Sequence, residues 1–281
     1  MLRSFLTAIT INGTATGSKT YDGTAGSGSA GSLTYSLANY DASKILGTAV
    51  YTTSSANAGT YTNLLLSGLY SGQNGYDISY GAGSGSFTIN KATLTVTAAD
   101  ASKTYDGLAY SGGNGVSYSG FVNNETVSVL GGTLSYTGTS QGAVNAGSYT
   151  LTASGLTSGN YDITYVAGTL TVGKAALTVT ANDAVKTFDG LAYSGGNGVS
   201  YSGFVDNETA SVLGGTLSYG GTSQGAVNVG SYTLTASGLT SGNYTIAYVN
   251  GTLTVQAAPA PVPVPLPPSG NPVTPVVSPR L

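Results

Sequence analysis

Residues 94–98 read Leu-Thr-Val-Thr-Ala, and residues 177–181 read the same five in the same order. In each copy the apolar residues (Leu94, Val96 and Ala98 in the first) alternate with threonine. A period of two turns one face to a core and the other to water, which is the signature of a half-buried strand. The alternation returns at Leu170 and Val172, at Tyr149, Leu151 and Ala153, and at Val116 and Tyr118. Between these runs lie Asp106-Gly107, Gly112-Gly113-Asn114-Gly115, Gly131-Gly132 and Ser158-Gly159-Asn160. Such residues supply Asx turns and the positive φ angles of tight turns. Strands of about five residues, punctuated roughly every 8–12 residues, define an all-β module. No proline precedes Pro259, so nothing in the sequence interrupts a ladder of hydrogen bonds before that point.

The shared pentapeptide belongs to a longer repeat. Residues 175–257 copy residues 92–174 without a gap, with 70 of 83 positions identical. A more diverged copy fills 10–91. It carries Lys19-Thr20-Tyr21-Asp22-Gly23, which matches Lys103-Thr104-Tyr105-Asp106-Gly107 and Lys186-Thr187-Phe188-Asp189-Gly190. It also carries Asn57-Ala58-Gly59-Thr60-Tyr61-Thr62 against Asn145-Ala146-Gly147-Ser148-Tyr149-Thr150. A period this long exceeds the roughly 20–50 residues of most solenoid units and suits a string of small domains. Three tandem β-domains are therefore expected, each an Ig-like sandwich or a β-grasp. The choice turns on Phe121–Leu130, which could form one short helix per unit, capped by an Asn with Glu125 in its first turn. Residues 1–9 read as a partial leading strand or a remnant of an export signal. Residues 258–281 read as a disordered Pro-rich linker or tail, since all nine prolines fall there. The joint at Gly173-Lys174-Ala175-Ala176 is short, which favours a semi-rigid rod over loose beads.

Composition removes whole classes of chemistry. The 281 residues include no Cys, His or Trp. Disulfides, thiolate nucleophiles, Cys/His zinc sites and a Ser-His-Asp triad are excluded on inventory. With 8 basic and 11 acidic residues, the chain offers no attraction for a phosphate backbone, so a nucleic-acid partner is not expected. A glycosidase would need paired carboxylates, and the few acids sit at turns in near-identical copies. The chain is read as non-catalytic, without a cofactor and without membrane insertion.

The ordered set Lys-Thr-Tyr-Asp-Gly, Asn-Ala-Gly-Ser-Tyr-Thr, Ser-Gly-Asn-Tyr and Gly-Thr-Leu-Thr-Val resembles the YDG and MBG repeat modules of filamentous-haemagglutinin-like bacterial surface proteins. The first unit is similar to the YDG type, and the second and third to the MBG type. The resemblance implies an adhesive repeat segment, or stalk, exported by two-partner secretion to the cell surface and associated with the outer membrane. Its implied partners are a host or cell-surface glycan or protein and neighbouring repeats of a larger polypeptide. The secretion domain expected at the start of such a protein is not among these residues, which implies a distal fragment or a broken reading frame. An alternative is a specific glycan- or protein-binding module. Its site would lie in the first unit near 34–53, where that copy departs from the others.

The residues singled out for a role divide between turns and ions. Tyr21-Asp22-Gly23, Tyr105-Asp106-Gly107 and Phe188-Asp189-Gly190 are expected to be Asp-Gly turns with the ring packed beneath. Asp100, Asp106, Asp183 and Asp189 are weak calcium candidates, because hard cations take clustered oxygen ligands. No D-x-D-x-D-G spacing supports them. An isopeptide bond from Lys103 to Asn123 or Asn124, with Glu125 moving the proton, requires all three buried together, whereas a surface lysine is the commoner case. Tyr149, Tyr161, Tyr232 and Tyr244 are assigned to the core.

Overall fold

A computed structural model of the chain describes residues 6–81 and 83–260. The Pro-rich segment from 261 onward and residues 1–5 lie outside the described residues. The first repeat contains β1 (Thr7–Thr20), β2 (Ser27–Ser29), β3 (Leu33–Tyr35), β4 (Leu46–Thr52), β5 (Gly59–Tyr61), β6 (Leu65–Tyr70), β7 (Tyr76–Tyr80) and β8 (Ser84–Asn90). The second contains β9 (Ala92–Ala98), β10 (Ala101–Thr104), β11 (Val116–Ser119), β12 (Gly131–Thr137), β13 (Gly147–Thr157), β14 (Tyr161–Val166) and β15 (Gly168–Gly173). The third repeats that order as β16 (Ala175–Ala181), β17 (Ala184–Thr187), β18 (Val199–Ser202), β19 (Gly214–Gly220), β20 (Gly230–Thr240), β21 (Tyr244–Val249) and β22 (Gly251–Gln256). The chain is all-β, as the period-two pattern requires.

Each repeat is built from two facing sheets. In the second they are β11-β9-β14 and β10-β15-β13-β12. Leu94, Val96 and Ala98 meet Leu151 and Ala153 between them, all at 3% exposure or less. Burying such a side chain contributes about 1.5–3 kcal/mol, which makes these strands the stable frame of the module. The leading strand serves both sheets. Its first part pairs in parallel with β14 and its second part, β10, in parallel with β15. Asp100 sits at the break, where its Oδ1 accepts from Thr169 N at 2.8 Å. Asp183 does the same for Thr252 N in the third repeat at 2.7 Å. In the first repeat β1 makes the crossing unbroken, pairing with β7 and then with β8.

The expectation of a short helix changes. The stretch 121–130 is not a helix: only a 3-10 turn, Val127–Val129, forms, and its N-cap is Thr126. Asn123 and Asn124 stand at φ 51° and 57°, a left-handed pair that no right-handed helix can continue through. With no helix to cover a single sheet, the two-sheet architecture replaces the β-grasp alternative. The leading strand of the first repeat starts at Thr7. By compactness the chain divides into two units, Met1–Lys174 and Ala175–Leu281, and within the first the buried residues of the first two repeats form one cluster. Tyr161 and Tyr244 are in the core at 1% and 2% exposure. Tyr149 and Tyr232 are only half-buried, their hydroxyls turned back to Asn145 O and Asn228 O.

Candidate functional site: the joint of the first two repeats

The Tyr-Asp-Gly turn is local in origin. Asp22 Oδ1 accepts from Thr24 N at 2.9 Å and from Thr24 Oγ1 at 2.7 Å. Lys19 Nζ lies 2.7 Å from the same oxygen. Asp106 and Asp189 take Leu108 N and Leu191 N at 2.9 Å, with Lys103 and Lys186 beside them. The lysine first, and then the turn's own hydrogen bonds, hold the Asp22 carboxyl down at about 2. The same causes lower Asp106 and Asp189. These are the expected Asx turns. At the first of them the ring goes elsewhere: Tyr21 enters the next repeat.

There the Tyr21 hydroxyl donates to Glu125 Oε1 at 2.5 Å. The other carboxylate oxygen, Oε2, accepts from Tyr161 OH at 2.5 Å. Tyr161 OH in turn accepts from Val122 N at 3.0 Å. The two tyrosine rings meet edge to face at 5.5 Å, and Phe121 closes on Tyr161 in the same way at 5.5 Å. Such aromatic pairs add about 0.5–1.5 kcal/mol beyond the area they bury. Tyr21 is only 5% exposed. The hydrogen bond to Glu125, with burial behind it, raises the Tyr21 hydroxyl to about 12. Burial first, and Glu125 second, raise Tyr161 as well.

Three further contacts complete the socket. Asn160 Oδ1 accepts from Ala58 N at 2.9 Å, and Asn160 Nδ2 donates to Asn57 Oδ1 at 3.1 Å. Lys91, in the connection itself, donates to Ser158 O at 3.0 Å. Gly23 has φ +80°, and a Cβ there would lie 2.6 Å from Asn123 Cβ. Glycine is thus demanded twice, by its own backbone and by the neighbour's approach. The third repeat holds the same half-socket: Tyr244 OH donates to Glu208 and accepts from Val205 N at 3.0 Å, and Phe204 packs edge-on at 5.5 Å.

The remaining candidates are dispersed. Among the described residues no three His, Cys, Asp or Glu side chains converge as a metal site requires. Asp100 and Asp183 bridge sheets, and Asp106 and Asp189 hold turns. The isopeptide trio is not brought together. Lys103 is held by Asp106 and Leu108 O, while Glu125 is held by Tyr21 and Tyr161. The role of Glu125 in the joint, with Asn160 and Gly23, was not read from the sequence. One signal for it existed: Glu125 and Glu208 are the chain's only glutamates and occupy the same repeat position.

The sequence profile of the MBG domain (YGX type) matches residues 94–171 and 177–254, and the chain belongs to that family. No curated protein matches. Among solved structures, the chain is similar to Drosophila N-cadherin EC1-4 at 12% identity and a TM-score of 0.30, over 90% of this chain and 76% of that one.

Proposed function

We propose that this chain is a structural repeat segment, a stalk, of a secreted bacterial surface adhesin associated with the outer membrane, and that it has no catalytic activity of its own. The observation that carries this reading is the Tyr21–Glu125–Tyr161 joint. Its polar groups are spent on one another in holding the second module against the first. A loosely strung chain would have no use for a half-buried carboxylate tied between modules. Near-identity of the two MBG copies fits a length-setting role, because a spacer tolerates duplication. Its partners are then the neighbouring repeats of a larger polypeptide and, through that polypeptide, a host or cell-surface glycan or protein. The test removes one 83-residue copy from the displayed protein. Adhesion of the carrier cell should persist with a shortened reach, and its disappearance would refute the spacer role.

A second reading is favoured by one observation. The divergent part of the first repeat contains a cleft of about 320 Å³ lined by Leu33, Tyr35, Tyr40, Ala42, Ile45 and Leu69. Tyr35 and Tyr40 stack at 4.1 Å and 24°. Amphipathic rings with polar neighbours offer a platform for the C–H face of a sugar. Glycan binding lost in Tyr40→Ala would support this site, and binding unchanged in that variant would remove it.

A further inference from the structure

Two surfaces, one on the third repeat and one on the first, depart together from the pattern that the other repeats share. The first is the end of the third repeat that carries Phe188. At the matching end of the first repeat Tyr21 is a plug, 5% exposed, whereas Phe188 is 40% exposed. A Cβ on the adjacent Gly190 would meet nothing within 4 Å. Relative to the second repeat, the third also exchanges Ser102 for Val185 and Ala146 for Val229. Both valines are exposed, at 66% and 56%. Val185 pairs with Thr254, whose other neighbour is Ser231, and Phe188 N donates to Gln256 O. The three apolar residues therefore lie toward one end of the sheet formed by β17, β22 and β20.

The second is the end of the first repeat that corresponds to the Glu125–Tyr161 socket. Tyr76 stands where Tyr161 stands, and its hydroxyl accepts from Asp41 N at 2.7 Å as that of Tyr161 accepts from Val122 N. Its loop carries no glutamate, and the Asp41 carboxylate is spent on Ser43 N and Oγ. Leu46 and Tyr70, partners across β4 and β6, replace the Gly131–Thr157 pair of the second repeat. They are 44% and 61% exposed. A depression of about 230 Å³ lies beside them, lined in part by Leu6, Tyr70, Ser71 and Tyr76.

The plug has lost its hydroxyl and the socket has lost its acid, while both have gained apolar surface. A phenyl ring set against a glutamate would leave one oxygen of a half-buried carboxylate without its donor, but set against the first repeat's socket it leaves no acid oxygen unmatched. We infer that these two ends form an interaction surface between copies of this chain: the Phe188 end of one molecule docks on the Tyr70–Tyr76 end of a second, head to tail. Such a contact is heterologous and leaves one plug and one socket free, so it continues past the dimer, into a closed ring or an open filament. The inference rests on the geometry of the joint between the first two repeats and not on the adhesin reading, and either can fail alone.

Sedimentation velocity on the full chain decides it. Association should rise with concentration between about 1 µM and about 1 mM, the range for a small interface, without a limit at the dimer. Phe188→Asp keeps the socket and Tyr70→Asp keeps the plug, so each alone should weaken association more than about tenfold. Mixed together, the two variants should form a one-to-one dimer and nothing larger. A β-type circular dichroism spectrum establishes that each variant is folded. A wild-type chain that remains monomeric throughout, because its own tail or another protein is what covers Phe188, overturns the proposal. So does a mixture that fails to pair, or either variant still polymerising.

Discussion

The hydroxyl of Tyr21 donates to the carboxylate of Glu125 at 2.5 Å, across 104 positions of sequence and from one module into the next. Hydrogen bonds to a charged group contribute about 1.5–3 kcal/mol, and removing one partner strands the other. Glu125→Gln should therefore destabilise the first two repeats by about 1–3 kcal/mol, and Tyr21→Phe by somewhat less, since Tyr161 still satisfies the carboxylate. The double variant should fall short of the sum of the two, because the residues act as one unit. Hydrogen exchange at Val122 N and Ala58 N would read this joint directly. Additive losses would show that the two residues do not interact.

Gly23 and Gly190 have the same backbone angle, φ +80°, but different surroundings. Alanine at either position bears the left-handed penalty of about 1–2 kcal/mol. Only at position 23 does its Cβ strike Asn123 as well. Gly23→Ala should be the more destabilising by urea unfolding, and it should expose Tyr21 to solvent. Equal effects would mean that the neighbour's approach is not constrained.

The hydroxyl of Tyr21, raised from 10.0 to about 12, links the joint to alkaline pH. A raised folded value stabilises fully below the unfolded value and loses that stabilisation as pH climbs through the folded one. That contribution should therefore be lost as pH climbs from about 10 through about 12. Tyrosinate absorbance should show a late-titrating class, and Glu125→Gln should lower two members of it, Tyr21 most and Tyr161 in part, since burial still raises the latter. Asp22, Asp106 and Asp189 work in the opposite sense. Their lowered values stabilise above the ordinary carboxylate range, and the effect fades as acid protonates them.

Asp100 and Asp183 act at the crossing of the leading strand between sheets. Replacing Asp100 by alanine leaves Thr169 N without its acceptor and should cost about 1 kcal/mol or more in the second repeat. Asp183→Ala should do the same in the third. Saturating calcium should leave the thermal transition of the wild type where it was, because a ligand stabilises only what it binds. A calcium-dependent rise abolished by either substitution would assign these residues to a metal instead.

Much of the architecture was written locally and could be read from the residues alone. The period of two in Leu94-Thr95-Val96-Thr97-Ala98, the Asx turns at Asp22, Asp106 and Asp189, and the 83-residue copy are properties of short stretches or of their recurrence. The missing Cys, His and Trp likewise bounded the chemistry without reference to any fold. What tertiary structure alone decided was pairing. The parallel alignment of β9 with β14, the left-handed Asn123–Asn124 step and the destination of the Tyr21 ring depend on how distant segments register in space. A tyrosine above an Asp-Gly turn has the same local sequence whether it packs under its own turn or plugs into a neighbour. The desolvation and hydrogen-bonding energy that separates the two comes from Glu125, Phe121 and Tyr161, residues about a hundred or more positions away that only folding brings to it.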